Sequence, residues 1–452
     1  MSKEPSARNW KRRAFLKVSA AGLASVLFNP FRGLLQAATP PAGNPVFWVD
    51  EIPDLPYAFA SHPNYHAGFE TLLYLLAVNG LKLYRSNTKT VLSGPIGLIA
   101  ADDIVLIKVN AQWKYRGCTN SDLVRGLIQR ILDHPDGYTG EVVIFENGQG
   151  RGSLACDTSS AYGKDKAVHA NANDERQSFL YLVSDIFKDK RVSARLMDKV
   201  RSTFLTASDH VTNGFRKFED VSYPCLTTDG GHRIELKEGV WTGSGYSQNL
   251  KLINVPVLKH HDQGGSEITA SLKHFYGVVS MSDGSSPVRH YDQLGRTTGI
   301  MAAKVRTPVL NIIDAIWVSY ASIKGFPAET TFRANQIAAS QDPVALDAFS
   351  AKNIIYPIDK NERHHPSFAG IDAWLTQARD TINNRGGLYN PSAGVYVDRV
   401  TKDESQMQVF NDSAARFVAA GPVLPVKQPR EPVRTISPGD GVPRRGNPFL
   451  IR

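Results

Sequence analysis

Three lysines stand where extended or helical segments run out. Lys108 interrupts the apolar run 104–110, which ends Ile-Lys-Val-Asn; Lys259 closes the run 250–259; Lys273 lies in the segment 271–277, read Ser-Leu-Lys-His-Phe-Tyr-Gly. A lysine in an apolar strand is costly unless its ammonium reaches water or a partner. The ordinary reading of each is a snorkelling or ion-paired structural residue. Brought together with Asn110, the three amino groups would instead hold a carboxylate, a phosphate or an enolate-like anion. His261 and His274 follow two of these lysines closely and are the candidate proton carriers, since imidazole titrates near neutrality. Asp342 and Asp347 complete the expected substrate-binding set as groups that orient a lysine.

The same stretches offer nitrogen and oxygen ligands: His260, His261, Asp262, His274, His290 and Asp292. No His-x-x-x-His or His-Glu-x-x-His spacing occurs among these six residues, and hydrogen-bonded histidines are the commoner outcome, so no residue is assigned as a metal ligand. A bound metal or redox cofactor stays open as an alternative. Cys118, Cys156 and Cys225 form no Cys-x-x-Cys pair or four-cysteine run, which leaves no iron–sulfur motif. The glycines 148, 150 and 152 follow a strand, but no periodic helix follows them; they read as a loop or lid rather than a dinucleotide fingerprint. Ser244 and Ser280 lack the Gly-x-Ser-x-Gly frame of a serine hydrolase.

The elements that must position these residues follow from hydrophobic period. Helical spacing predicts a helix over 67–83, stopped by Asn79-Gly80. The continuous apolar runs 104–110 and 141–146 read as buried parallel strands. The helix between them is capped by Thr119, Asn120 or Ser121 and presents Leu123, Leu127, Ile128 and Ile131. Strand, helix, strand makes a βαβ unit. Further strands are expected at 250–258, 308–314 and 336–339, and helices near 174–187, over 268–279, from Pro343 at a first helical turn, and over 374–382. The fold class is α/β: a mainly parallel sheet flanked by helices, with an irregular inserted lobe at about 150–245 that carries hairpins near 224–245. The expected division is a leader at 1–38, a Pro-rich lead-in and helix at 39–99, the core at 100–355, a helical part at 356–420 and a Pro/Arg-rich tail at 421–452.

Lys11-Arg12-Arg13-Ala14-Phe15-Leu16-Lys17, followed by a mild apolar run at 18–28, has the layout of a twin-arginine export signal. The run falls short of the roughly 20 strongly apolar residues of a membrane span. The expected location is periplasmic, reached in the folded state through the twin-arginine machinery, with no stable span once the signal is removed. The formal net charge of +9 sits at the ends. Residues 1–38 hold seven Lys/Arg against one acid, and residues 421–452 hold six against two, so the body is close to neutral. A neutral body lacks the charge that generic nucleic-acid binding requires.

Taken in order, the Ile-Lys-Val-Asn strand, the run 252–259, the segment 271–277 and the block 342–347 (Asp-Pro-Val-Ala-Leu-Asp) resemble the domain of unknown function 362 family over about 100–355. The resemblance implies that Lys108, Asn110, Lys259, Lys273, Asp342 and Asp347 matter. Where family members follow the lysine of the third motif with Asn, this chain has His274. Many members carry a ferredoxin-like module, absent here. The expected function is an enzyme of unassigned reaction that binds a small anion; the alternatives are a non-catalytic envelope binding or accessory protein, and a metal- or redox-cofactor protein.

Overall fold

A computed structural model describes residues 43–57, 62–159, 162–188, 190–197, 214–279, 288–419 and 434–436. The leader at 1–38 and nearly all of the tail lie outside the described residues. One sheet carries the strands β1 (Asn44–Asp50), β2 (Ile104–Val109), β3 (Glu141–Asn147), β4 (Val192–Met197), β5 (Leu250–Val255), β6 (Val257–His260), β7 (Ile268–Thr269), β8 (Leu310–Ser319), β9 (Thr331–Ser340), β10 (Met407–Ser413) and β11 (Arg434–Ile436). Their order is β11-β10-β1-β9-β8-β5-β2-β3-β4, and β6 pairs with β7 and β8. Five neighbours, β8-β5-β2-β3-β4, run parallel. Every residue of β2, β3 and β5 is buried. That burial on both faces is why they are continuous apolar runs rather than alternating ones.

The chain leaves β2 through the helix α1 (Ser121–Leu132), forms β3 and then β4 on one side, and returns to place β5 and β8 on the other. The strand order therefore reverses between β2 and β5. In open α/β sheets ligands bind beyond the carboxyl ends of the strands at such a reversal. Asn110, Asn147 and Lys259 all lie at or just past carboxyl ends there.

Several expectations need correction. The Pro-rich lead-in expected before the first helix carries a core strand: Val46 to Val49 are buried, and β1 lies between β9 and β10. Its four-residue apolar run outweighs the flanking prolines. The inserted lobe is smaller than 150–245, because β4 joins the main sheet; what remains is a five-stranded antiparallel sheet between Phe215 and Ser247. The helix expected over 268–279 is α2 (Ser271–Tyr276), since Ile268 and Thr269 are taken by pairing with β6. The strand expected at 336–339 extends over ten residues as β9 and runs antiparallel to β8. The first helix covers Ala67–Val78 and is capped by His66, whose Nδ1 accepts from the Phe69 amide at 3.2 Å.

His66 is fully buried, and desolvation drops its pKa to about 3. A free histidine titrates near 6.5. A depressed folded-state pKa means the unfolded chain takes up the proton first, so stability present above pH 6.5 is lost as pH falls toward 3. The expected loss between pH 7 and pH 4 is about 2–4 kcal/mol. His66→Asn keeps a cap acceptor and removes the titration, so urea unfolding of that variant should show a smaller gap between the two pH values.

Candidate functional site

The carboxyl ends of β2, β3 and β6 enclose a cavity of about 210 Å³, lined among others by Lys108, Asn110, Glu146, Lys259, His261, Lys273 and His274. The three lysines, far apart in sequence, thus share one hollow. It is smaller than the ~300–1,000 Å³ that drug-sized ligands occupy.

Lys108 is 1% exposed, and its Nζ meets three acceptors: the Val109 carbonyl at 2.9 Å, Glu146 Oε1 at 2.7 Å and His274 Nε2 at 2.9 Å. The state of His274 follows from its neighbours. Asn254 Nδ2 donates to the Ser271 carbonyl, which fixes the amide so that Oδ1 faces His274 Nδ1 at 2.8 Å. Nδ1 therefore carries the proton, and Nε2 offers its lone pair to Lys108. Three acceptors require three hydrogens, so the Lys108 amine is an ammonium with none left for a ligand. Burial pulls its pKa down while Glu146 opposes the shift. Glu146 is itself held by the Ala111 and Asn147 amides at 2.9 and 2.8 Å. Burial, with the Lys108 charge second, holds the His274 imidazole neutral by lowering its pKa well below the usual range.

Lys259 differs. Its amine is 2% exposed and donates to the Gly117 carbonyl at 2.7 Å, its one acceptor among the described residues. Desolvation brings it down to about 7. Lys273 also falls to about 7 from burial, with Asp262 opposing; its Nζ lies 2.7 Å from His290 Nε2 and 4.9 Å from the centre of the Tyr276 ring. Asn110 Oδ1 accepts from the Val257 amide, pinning the chain where β5 gives way to β6. His261 turns Nδ1 to Thr269 Oγ1 at 2.8 Å and Nε2 toward Asp262. Burial and the two lysines lower its pKa well below the usual range. Its neighbour His260 points the other way, to His364 Nε2 at 2.9 Å, as alternation along a strand requires.

Asp342 and Asp347, expected to bind substrate, do not line the cavity. Asp342 caps the helix α3 (Pro343–Ser350) through the Val344 and Ala345 amides and also accepts from Asn44 and Thr401. Asp347 accepts from the Ser271 and Leu272 amides at 2.7 and 2.9 Å. Ala270 gives α2 no side-chain cap, so Asp347 supplies it from another helix and fixes where Lys273 and His274 stand. Glu146, Asn147, Gln149, Arg151 and Tyr276 line the cavity but were not singled out from sequence. For Glu146 a signal existed: an acid ending the strand beside the one that carries Lys108.

These features define an α/β protein with a large mixed sheet, flanked by helices, and a lysine-lined cavity at its strand-order reversal. Residues 214–352 match the family described as "Domain of unknown function (DUF362)". The matched segment contains Lys259, His261, Lys273, His274, Asp342 and Asp347, and supports that domain family. No curated protein and no solved structure matches the chain.

The two kinds of lysine separate in stability. Lys108→Ala strands a buried carboxylate and should cost about 3–5 kcal/mol. Lys259→Met removes an amine that no acid compensates, and should leave stability within about 1 kcal/mol of the parent or raise it. Urea denaturation of both variants checks the contrast.

Proposed function

We propose that this chain is an exported enzyme that holds a small anionic substrate between the amino groups of Lys259 and Lys273. The observation that carries the reading is their arrangement: two buried amines that, among the described residues, have no directly bonded carboxylate face the same small cavity. Burying an amine so poorly compensated is expensive. An anion returns that cost by accepting charge-assisted hydrogen bonds. Lys108 adds positive potential from the cavity floor while its own donors stay with Glu146, Val109 and His274. The Asn110 amide is placed to donate to the same guest. His261, whose Nε2 faces the cavity side, is the imidazole positioned to move a proton, whereas both ring nitrogens of His274 are engaged inside the protein.

Sulfate, inorganic phosphate and malonate serve as probes. At a hundredfold excess over its dissociation constant, a bound probe should stabilise the protein by about 2.7 kcal/mol. Lys259→Met and Lys273→Met should each remove most of that gain and still fold. Absence of stabilisation by all three probes in the folded parent would count against the reading. Export is tested separately: the leader at 1–38 fused to a reporter should reach the periplasm, and Arg12→Lys with Arg13→Lys together should retain it inside the cell.

A further inference from the structure

We propose that His261, Asp262 and His290 form a binding site for a divalent first-row metal ion, with zinc or cobalt as the test ions, whose open coordination positions face the lysine-lined cavity. This site does not depend on the anion reading, and it replaces the proton-carrying role given to His261 above, because Nε2 is a ligand once the ion is bound.

The argument begins with donor geometry. His261 Nε2 lies 3.6 Å from Asp262 Oδ2, and His290 Nε2 lies 3.7 Å from the same oxygen. One donor atom from each of the three residues falls within 4.8 Å of the other two. Ligands bonded at about 2.1 Å sit roughly 3.0–3.4 Å apart around one ion. The two nitrogen–oxygen gaps close with a shift of a few tenths of an ångström, and the two imidazole nitrogens, within 4.8 Å of each other, need at most about 1.8 Å more from rotation of side chains on the cavity wall. Two imidazoles and one carboxylate suit a borderline divalent ion. Three protein ligands leave positions open, as in catalytic rather than structural metal sites.

The surroundings supply a second, independent feature. Metal-bound histidines use their other ring nitrogen in a hydrogen bond that fixes tautomer and orientation. His261 Nδ1 is held by Thr269 Oγ1 at 2.8 Å, and Thr269 pairs with Lys259 across β6 and β7. The Nε2 lone pair is thereby directed away from the strand toward Asp262. All three candidate ligands line the cavity.

One group opposes the ion. Lys273 Nζ lies 2.7 Å from His290 Nε2, on the nitrogen a metal must take. The metal therefore displaces this amine, which then turns into the cavity, where an anion bridging it and the metal offsets the gathered positive charge. Two consequences distinguish this site from a chance surface histidine pair. Removing the Lys273 amine should tighten metal binding, and an anion should tighten it in the parent, reciprocally with the metal's effect on the anion.

The experiment is calorimetric titration of the apo full chain with Zn2+ and with Co2+ in a non-chelating buffer, the cobalt complex also followed by its visible absorption. One ion should bind per chain. His290→Ala and Asp262→Asn, both at partly exposed positions, should weaken binding by more than about 100-fold while circular dichroism stays unchanged. Lys273→Met should bind the ion at least several-fold more tightly, and sulfate should do the same in the parent but not in Lys273→Met. No binding by the folded parent, or binding that survives both ligand variants, overturns the site. Loss of the sulfate effect alone, with metal binding intact, counts against the anion reading and leaves the metal site standing.

Discussion

At the carboxyl ends of β2 and β3 the sheet must accommodate the Lys108 ammonium, and much of the site's construction follows from that requirement. Lys108 lies where β2 is covered on both faces, so each of its hydrogens needs an acceptor from the protein. Glu146 on β3 supplies one, the neighbouring backbone a second and His274 the third. The last of these holds only while Asn254 keeps the imidazole in the right tautomer, and Asn254 is in turn tied to Asn311 on β8. A single polar chain thus runs through β3, β2, α2, β5 and β8 and ties the carboxyl ends of β3, β2 and β5 to the start of β8. A half-satisfied version would be worse than an apolar core, because an unpaired group in that dielectric carries its full desolvation cost.

This chain of bonds also divides labour among residues of one type. Lys108 is spent on structure and lends only its field. Lys259 and Lys273 sit on segments that begin where the regular sheet ends: one beyond the break at Pro256, the other on a short helix whose first amides are held by Asp347. Neither amine is bonded to Glu146, which is held by Lys108 and two amides, while Asp262 lies 3.6 and 3.7 Å from the His261 and His290 imidazoles. The cavity is consequently small and lined by amino groups, and the proposed anion site rests on that lining.

The parallel strands were legible because double burial writes itself as unbroken apolar runs, and the lysines and Asn110 were legible because they interrupt or end those runs. The convergence of the lysines followed once the strand order reversed between β2 and β5. What the sequence concealed was the use of each polar group. Nothing in the residue type of Lys108 distinguishes an exhausted ammonium from an available one; that depends on Glu146 and His274, 38 and 166 positions away. Asp342 and Asp347 looked like site residues because they follow the strand expected at 336–339 and bound the block 342–347; in the structure each holds the first amides of a helix. The strand at Asn44–Asp50 was hidden by prolines on either side of its apolar run.

The central claim is that Lys259 and Lys273 receive an anion while Lys108 stays committed to the protein. A crystal structure of the protein soaked in selenate, read by the anomalous signal of selenium, tests it most directly. The account predicts selenate oxygens within about 3 Å of both Lys259 Nζ and Lys273 Nζ, with Lys108 still bonded to Glu146 and His274. Selenate held by a Lys108 that has left Glu146, or a cavity that stays free of selenate at saturating concentration, would contradict it.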